Sequence, residues 1–298
     1  MHARVLKRVR GLAAVVVLGL GTALLATAQL SPAEAKLPAK AVAGPCGTAV
    51  VLKADGTPWT CTFGDDFTGS TLDTSKWFIQ TTANSAYNSG GACYTDTKQN
   101  VTQSMGSLKL VARKVFKAFV CASPTGSYLT NYTAGTVSTF NRFAQAYGRF
   151  EVRAKFPSGR LPGLQSAIWM YPQENTQPWP YNGEIDIAEW YSQYPDRVIP
   201  FLHYGSSYMD PNATNTNCKV ANVSGAWHTY LLEWTPQAIK ISYDGKVCLT
   251  NTAVAGQYPF NKAYMLVLSQ MLGTGSNAVT SRTQLPATTQ IDYVRVWQ

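Results

Sequence analysis

Acidic residues are scarce in this 298-residue chain, sixteen in all, yet three of them fall within six positions: Glu184, Asp186 and Glu189. They sit in the run Trp179-Pro180-Tyr181-Asn182-Gly183-Glu184-Ile185-Asp186-Ile187-Ala188-Glu189-Trp190. Like charges crowded on a strand repel, so in a plain structural strand the trio is a cost without a return. Glycoside hydrolysis does gain from such a grouping. It needs one ionised carboxylate to attack and one protonated carboxyl to donate. Neighbouring negative charge also raises the donor's pKa toward working pH. Asp186 lies between the other two and can hydrogen-bond either. The plainer readings are a solvated acidic strand face or a calcium-binding patch.

The element that positions the trio must be a strand with one irregularity. Alternation puts Glu184 and Asp186 on one face and Ile185 and Ile187 on the other. Glu189 then has the wrong parity. A single β-bulge between Asp186 and Glu189 adds one residue and re-aims the rest of the strand, bringing all three carboxylates to one face. A retaining glycosidase wants its two carboxyl groups about 5–5.5 Å apart. A regular five-residue step covers ~16 Å, so the side chains must also lean together.

Strands dominate the rest of the chain. Ser107–Arg113, Arg149–Lys155 and Lys240–Tyr243 alternate polar and apolar residues, the period of half-buried strands. Asp244-Gly245 followed by Lys246–Leu249 reads as a hairpin. No segment after the leader keeps a helical period, and 23 Gly and 16 Pro punctuate the chain. That pattern predicts a single all-β sandwich or barrel. With 45% hydrophobic and 14% charged residues, the chain has enough apolar material for one sizeable core. The net charge of +9 is scattered, with no dense basic stripe after residue 10, which argues against a nucleic-acid partner. Three histidines (His2, His203, His228) are too few for a multi-histidine metal site. P-loop, dinucleotide and zinc-ribbon motifs are absent from the sequence.

The first residues read as an address. Arg4, Lys7, Arg8 and Arg10 precede an uncharged run from Gly11 to Leu30, and Ala33-Glu34-Ala35 or Ala26-Thr27-Ala28 fits a cleavage site. This predicts a signal peptide over 1–35 and a secreted protein; the alternative is a retained anchor. Loss of 1–35 removes four basic residues and one acidic residue and leaves +6. Cys46, Cys61, Cys93, Cys121, Cys218 and Cys248 all lie beyond the leader. An even count in an exported chain favours disulfides. Of the fifteen pairings, the sequential one (46–61, 93–121, 218–248) closes three short loops and is the expected one. Residues 36–62 are read as an N-terminal segment with one of these disulfides, and 63–298 as the catalytic domain.

The carboxylate segment resembles the active-site strand of glycoside hydrolase family 16, in its laminarinase-like ExDxxE subgroup. Phe63–Trp77, Tyr132–Gly135, Tyr147–Lys155, Ala167–Met170, Trp227–Tyr230, Glu233–Pro236 and Ile291–Val296 resemble further strands of the family, in order and at similar spacing. The resemblance covers about residues 63–298. It implies a β-jelly roll, two curved antiparallel sheets with an open cleft, and a retaining mechanism. By position, Glu184 resembles the nucleophile, Glu189 the acid/base and Asp186 the assisting carboxylate. Trp169, Trp179, His203 and Gln270 match places near the family's cleft and are expected to bind substrate. For both tryptophans a core role competes with a sugar platform. Asp292 with Asp65 or Asp66 resembles a structural calcium site of some relatives; no cofactor is required for the chemistry.

Three departures bear on the substrate. Thr97 stands where many β-1,3-glucanases carry Arg, Leu164-Gln165-Ser166 lacks a usual aromatic, and Ser269–Leu272 lacks a common Asn. The implied function is a secreted, monomeric endo-β-glucanase acting on a polysaccharide, most simply β-1,3-glucan. A cell-wall transglycosylase using the same residues and a non-catalytic carbohydrate-binding jelly roll are the alternatives.

Overall fold

Two antiparallel sheets face each other across an apolar core. The computed structural model describes residues 44–298, so the expected leader over 1–35 lies outside the described residues. The first sheet runs β10 (Ile199–His203), β9 (Glu184–Tyr191), β8 (Leu164–Pro172), β14 (Tyr264–Leu272), β6 (Tyr128–Ser138), with the short β2 (Phe78–Ile79) beyond. The second runs β4 (Val101–Ser104), β5 (Ser107–Cys121), β15 (Ala287–Trp297), β7 (Gly148–Lys155), β11 (Trp227–Trp234), β12 (Ile239–Tyr243), β13 (Lys246–Asn251). Strand β1 (Cys61–Asp65) lies along β15. The far ends of β5 and β6 pair with each other and link the sheets. Strand β3 (Cys93–Tyr94) joins β6 in parallel. This is the all-β sandwich that the strand pattern allows and the jelly roll that the family resemblance implies.

The alternating segments fall on strands. Strand β7 is regular, its residues alternating between buried and half-buried, because Phe150, Val152 and Ala154 enter the core. The Asp244-Gly245 turn joins β12 to β13, with Tyr243 opposite Lys246. Both turn residues have positive φ, 48° and 81°, the conformation a two-residue hairpin requires. Between the sheets, Phe156 stacks on Trp190 with ring centroids 6.1 Å apart, and Tyr243 donates from the second sheet to the Ile187 carbonyl at 2.8 Å.

All three sequential disulfides are present. Cys46–Cys61, Cys93–Cys121 and Cys218–Cys248 have Cα separations of 5.9, 5.7 and 5.6 Å, ordinary for a bridge. The first bolts the N-terminal segment to β1, where Thr60 and Gln298 exchange backbone hydrogen bonds. Residues 44–62 therefore belong to the same compact unit as the sandwich. The third ties a segment covering the outer edge of β10 to β13. That segment gives Leu202 and Val198 backbone partners at Ala213 and Cys218, and Asn215 donates to the Cys248 carbonyl at 2.7 Å.

Candidate active site

Strand β9 carries the expected bulge. Across β8, Ala188 opposes Ile168 while Asp186 opposes Trp169, so Ile187 is the extra residue. Across β10, Glu184, Asp186 and Glu189 oppose His203, Phe201 and Ile199. Those three partners share one parity, so the three carboxylates share one face. The same face continues through Tyr191 on β9, Gln165, Ala167 and Trp169 on β8, and Val267, Ser269 and Met271 on β14. The opposite face sends Ile185, Ala188 and Trp190, all fully buried, into the core.

The strand is entered through a locked loop. Asn182, buried, donates to the Glu174 carbonyl at 3.0 Å and accepts from Lys262 Nζ at 2.7 Å. Gly183 has φ of +88°, and a Cβ there would lie 2.1 Å from the Tyr264 hydroxyl, so only glycine fits. This loop brings Trp179 back over the strand, where its indole Nε1 donates to Glu184 Oε2 at 2.7 Å. Trp179 is 57% exposed, and its ring lies 5.3 Å from the His203 ring.

Each carboxylate has its own partners. His203 Nε2 lies 3.0 Å from Asp186 Oδ2. Glu189 Oε1 accepts from Gln165 Nε2 at 2.8 Å and from the Tyr191 hydroxyl at 2.7 Å. Burial, then the charge of Asp186, pushes Glu184 up to about 8, while His203 and the Trp179 bond act against this. Asp186, 3% exposed, is raised well above the usual range by burial and by Glu189, against a side-chain bond with Glu184. Burial also raises Glu189, opposed by Tyr191, His203 and Gln165. Three buried negative charges are thus disfavoured, and each carboxyl is shifted toward its protonated form.

Hollows flank the trio. On the Glu184 side a groove of 620 Å³ is walled by Trp169, Trp179, Tyr87, Tyr171, Phe78 and Phe140. On the Glu189 side a smaller one of 220 Å³ is lined by Tyr191, Tyr194, Ile199 and Phe201. The single-turn helix α1 (Thr82–Ser85), closed by a Thr81–Asn84 capping box, sets the rim of the larger groove. Trp169 is 8% exposed and donates to Ser269 Oγ at 3.0 Å, so it forms floor rather than an open platform. Trp179 presents the exposed face.

Gln270 does not face the groove. Its β14 neighbours Ser269 and Met271 do, and the parity sends Gln270 to the other side. It is fully buried. Its Oε1 accepts from Ser166 and Thr289, and its Nε2 donates to the carbonyls of Gln165 and Met271. With every polar site occupied inside the sandwich, it has nothing to offer a sugar, and the expectation of a substrate contact is corrected. The Asp residues suggested for calcium have other partners. Asp292 pairs with Arg153, and Asp65 accepts from Trp77 Nε1 and the Phe67 amide. Among the described residues no group of three His, Cys, Asp or Glu side chains converges on a metal position.

Sequence reasoning left Gln165 and Tyr191 without a role. Tyr191 was findable, since it lies two residues beyond Glu189 on the same face. The only signal at Gln165 was that the stretch Leu164-Gln165-Ser166 lacks a usual aromatic.

A two-sheet jelly roll carrying paired carboxylates beside an open groove is the architecture of a class of glycoside hydrolases. The sequence profile of glycosyl hydrolases family 16 matches residues 88–295, and the chain belongs to that family. It is 30% identical over 259 residues to glucan endo-1,3-beta-glucosidase A1 of Niallia circulans, covering 78% of this chain and 37% of that protein. It is also 30% identical over 244 residues to the keratan-sulfate endo-1,4-beta-galactosidase of Sphingobacterium multivorum, covering 79% and 54%. The chain thus spans less than two thirds of the length of these two relatives. Among solved structures, the laminarinase from Rhodothermus marinus superimposes with a TM-score of 0.69 at 27% identity, covering 80% of this chain and 97% of that one.

Proposed function

We propose that this protein is a secreted, endo-acting β-glucan hydrolase that works with retention of configuration. The observation that carries the reading is the bulge at Ile187, which sets Glu184, Asp186 and Glu189 on one face with a hollow on either side. Hollows on both sides of the carboxylates suit cleavage within a polymer. Three disulfides favour an oxidising, extracellular setting.

Glu184 attacks the anomeric carbon, forming a bond from one carboxylate oxygen as the glycosidic bond breaks. Glu189 gives its proton to the departing oxygen. A water then enters, loses a proton to Glu189 and attacks the same carbon, releasing Glu184. Glu184 must be ionised to attack. Trp179 Nε1–H favours that form, and Asp186, held toward its protonated form by burial, can donate to Glu184. Trp179 offers an indole face to a sugar ring.

The polymer proposed first is β-1,3-glucan, in line with the name of the Niallia circulans relative. A β-galactan is the second reading. It draws on the galactosidase, at the same 30% identity, on Thr97 where many β-1,3-glucanases carry Arg, and on the lack of a usual aromatic in the stretch Leu164-Gln165-Ser166. The test is release of reducing ends from soluble β-1,3-glucan, mixed-linkage glucan and galactan by the wild type and by Glu184→Gln. Release from one polymer, lost in the variant, supports hydrolysis and names the substrate. Redistribution of chain lengths without new reducing ends would indicate a transglycosylase instead. Binding without product would indicate a lectin.

A further inference from the structure

We propose that Gln165 is a positioning residue for Glu189: with Tyr191 it pins Oε1 and leaves Oε2 as the oxygen that transfers the proton. The proposal rests on the reading of Glu189 as acid/base.

Gln165 and Tyr191 face each other across β8 and β9. The Gln165 amide donates to Glu189 Oε1 at 2.8 Å and reaches the Tyr191 oxygen at 3.1 Å, while the Tyr191 hydroxyl donates to the same Oε1 at 2.7 Å. Two donors occupy both lone pairs of that oxygen. Among the described residues every side-chain hydrogen bond given to Glu189 goes to Oε1. A carboxyl held by one oxygen cannot swing, and its second oxygen keeps one direction. An acid gains from such fixation because proton transfer needs hydrogen-bond reach in one geometry. The clamp is braced from behind: Gln270, buried between the sheets, donates to the Gln165 carbonyl at 3.2 Å. An aromatic residue at position 165 would have no amide to donate.

The clamp also acts on the charge. Donors aimed at a carboxylate favour its ionised form, so they offset the rise that burial imposes on Glu189. The other titratable groups around Glu189 are Glu184 and Asp186 from β9, His203 from β10 and Tyr87 from the segment before β3, with Tyr243 from β12 behind the strand on the Ile187 carbonyl. None of these bonds to Oε1.

The test is a carbon-13 NMR titration of the full protein labelled at glutamate carboxyls, with Glu189→Gln used to assign the Glu189 signal. In Gln165→Met, which keeps the side-chain length and loses the donor, the Glu189 transition should move up by about one pH unit. Tyr191→Phe should do the same, and it serves as the second variant if Gln165→Met does not fold. An unmoved Glu189 transition in a folded variant overturns the proposal, whatever the substrate proves to be. Kinetics separates this from the underlying reading. Rates are compared on soluble β-1,3-glucan and galactan and on dinitrophenyl glycosides of the matching disaccharides, whose leaving group needs no proton. Gln165→Met should lose about tenfold on the polymer and little on the aryl glycoside. If Glu189→Gln slows formation of the glycosyl-enzyme equally on both, the acid/base reading fails. If Glu189→Gln discriminates and Gln165→Met does not, only the positioning proposal fails.

Discussion

His203 Nε2 meets Asp186 Oδ2 at 3.0 Å in the middle of the carboxylate trio. This is not a simple ion pair. Burial lowers His203 below its usual range, although Glu184 and Glu189 pull the other way, and burial raises Asp186. Both partners therefore favour their neutral forms, and the contact holds a proton near the centre of the site without concentrating charge there.

The first prediction concerns stability against pH. Glu184 titrates near 8 in the folded protein against an ordinary value of 4.5. The folded state thus binds more protons than the unfolded one between those values. Its contribution is full below pH 4.5 and is lost as pH rises through 8. Glu184→Gln removes the burden of an unwelcome charge. It should raise stability at pH 8.5 by about 2–4 kcal/mol, or roughly 5–10 °C in melting temperature, and change it little at pH 4.5. Calorimetry of both proteins at the two pH values checks this; an equal shift at both would refute it. His203 works in the opposite direction, removing stability as pH falls below 6.5.

A second prediction concerns the indole bond to Glu184. Trp179→Phe keeps a ring for the sugar and removes the donor at 2.7 Å. The bond favours ionised Glu184, so its loss raises the pKa further and shifts the acid limb of kcat/KM upward. The residue is well exposed, so the loss in kcat/KM should be about tenfold, near the low end for a bond to a charged group. A pH–rate profile decides; a change in KM alone, with the limb unmoved, would assign Trp179 to sugar stacking only.

Gln270→Leu should behave as a core mutation. It removes four hydrogen bonds inside the core, those from Ser166 and Thr289 and those to two backbone carbonyls, leaving Ser166 and Thr289 only each other, which should lower unfolding stability by about 2–3 kcal/mol. KM should stay within about twofold of wild type, as expected of a residue without substrate contact. A tenfold rise in KM would return Gln270 to the groove.

Removing the Cys93–Cys121 bridge, as Cys93→Ala with Cys121→Ala, opens a loop of 28 residues. The expected loss is about 2–4 kcal/mol in denaturant unfolding. The bridge anchors β3 beside Tyr94, whose ring packs 5.1 Å from Tyr87 at the groove wall, so activity should fall before global unfolding as denaturant is added.

Much of this was legible because it rests on period and spacing. The bulge could be read from the parity mismatch between Asp186 and Glu189, and the Asp244-Gly245 hairpin from its turn residues. Cysteine spacing pointed to the correct pairing because each bridge closes a short loop. Gln270 was expected at the groove because it matches a place near the family's cleft, and a match of position does not say which side of β14 a residue takes; the register of β14 on β8 turns it inward. Gln165 could not be read at all as a partner of Glu189. The two are 24 residues apart, and only the pairing of β8 with β9 brings them opposite.

The segment that lies along the outer edge of β10 has a wider consequence. Without it, a row of backbone donors and acceptors would stand open within one strand of the carboxylates, a ready template for recruiting other copies into a growing sheet. Cys218–Cys248 keeps that cover in place by tying it to the last strand of the opposite sheet. The bridge therefore guards colloidal behaviour as well as folding. Under reduction the chain should first become sticky, precipitating at high concentration while dilute samples still turn over substrate.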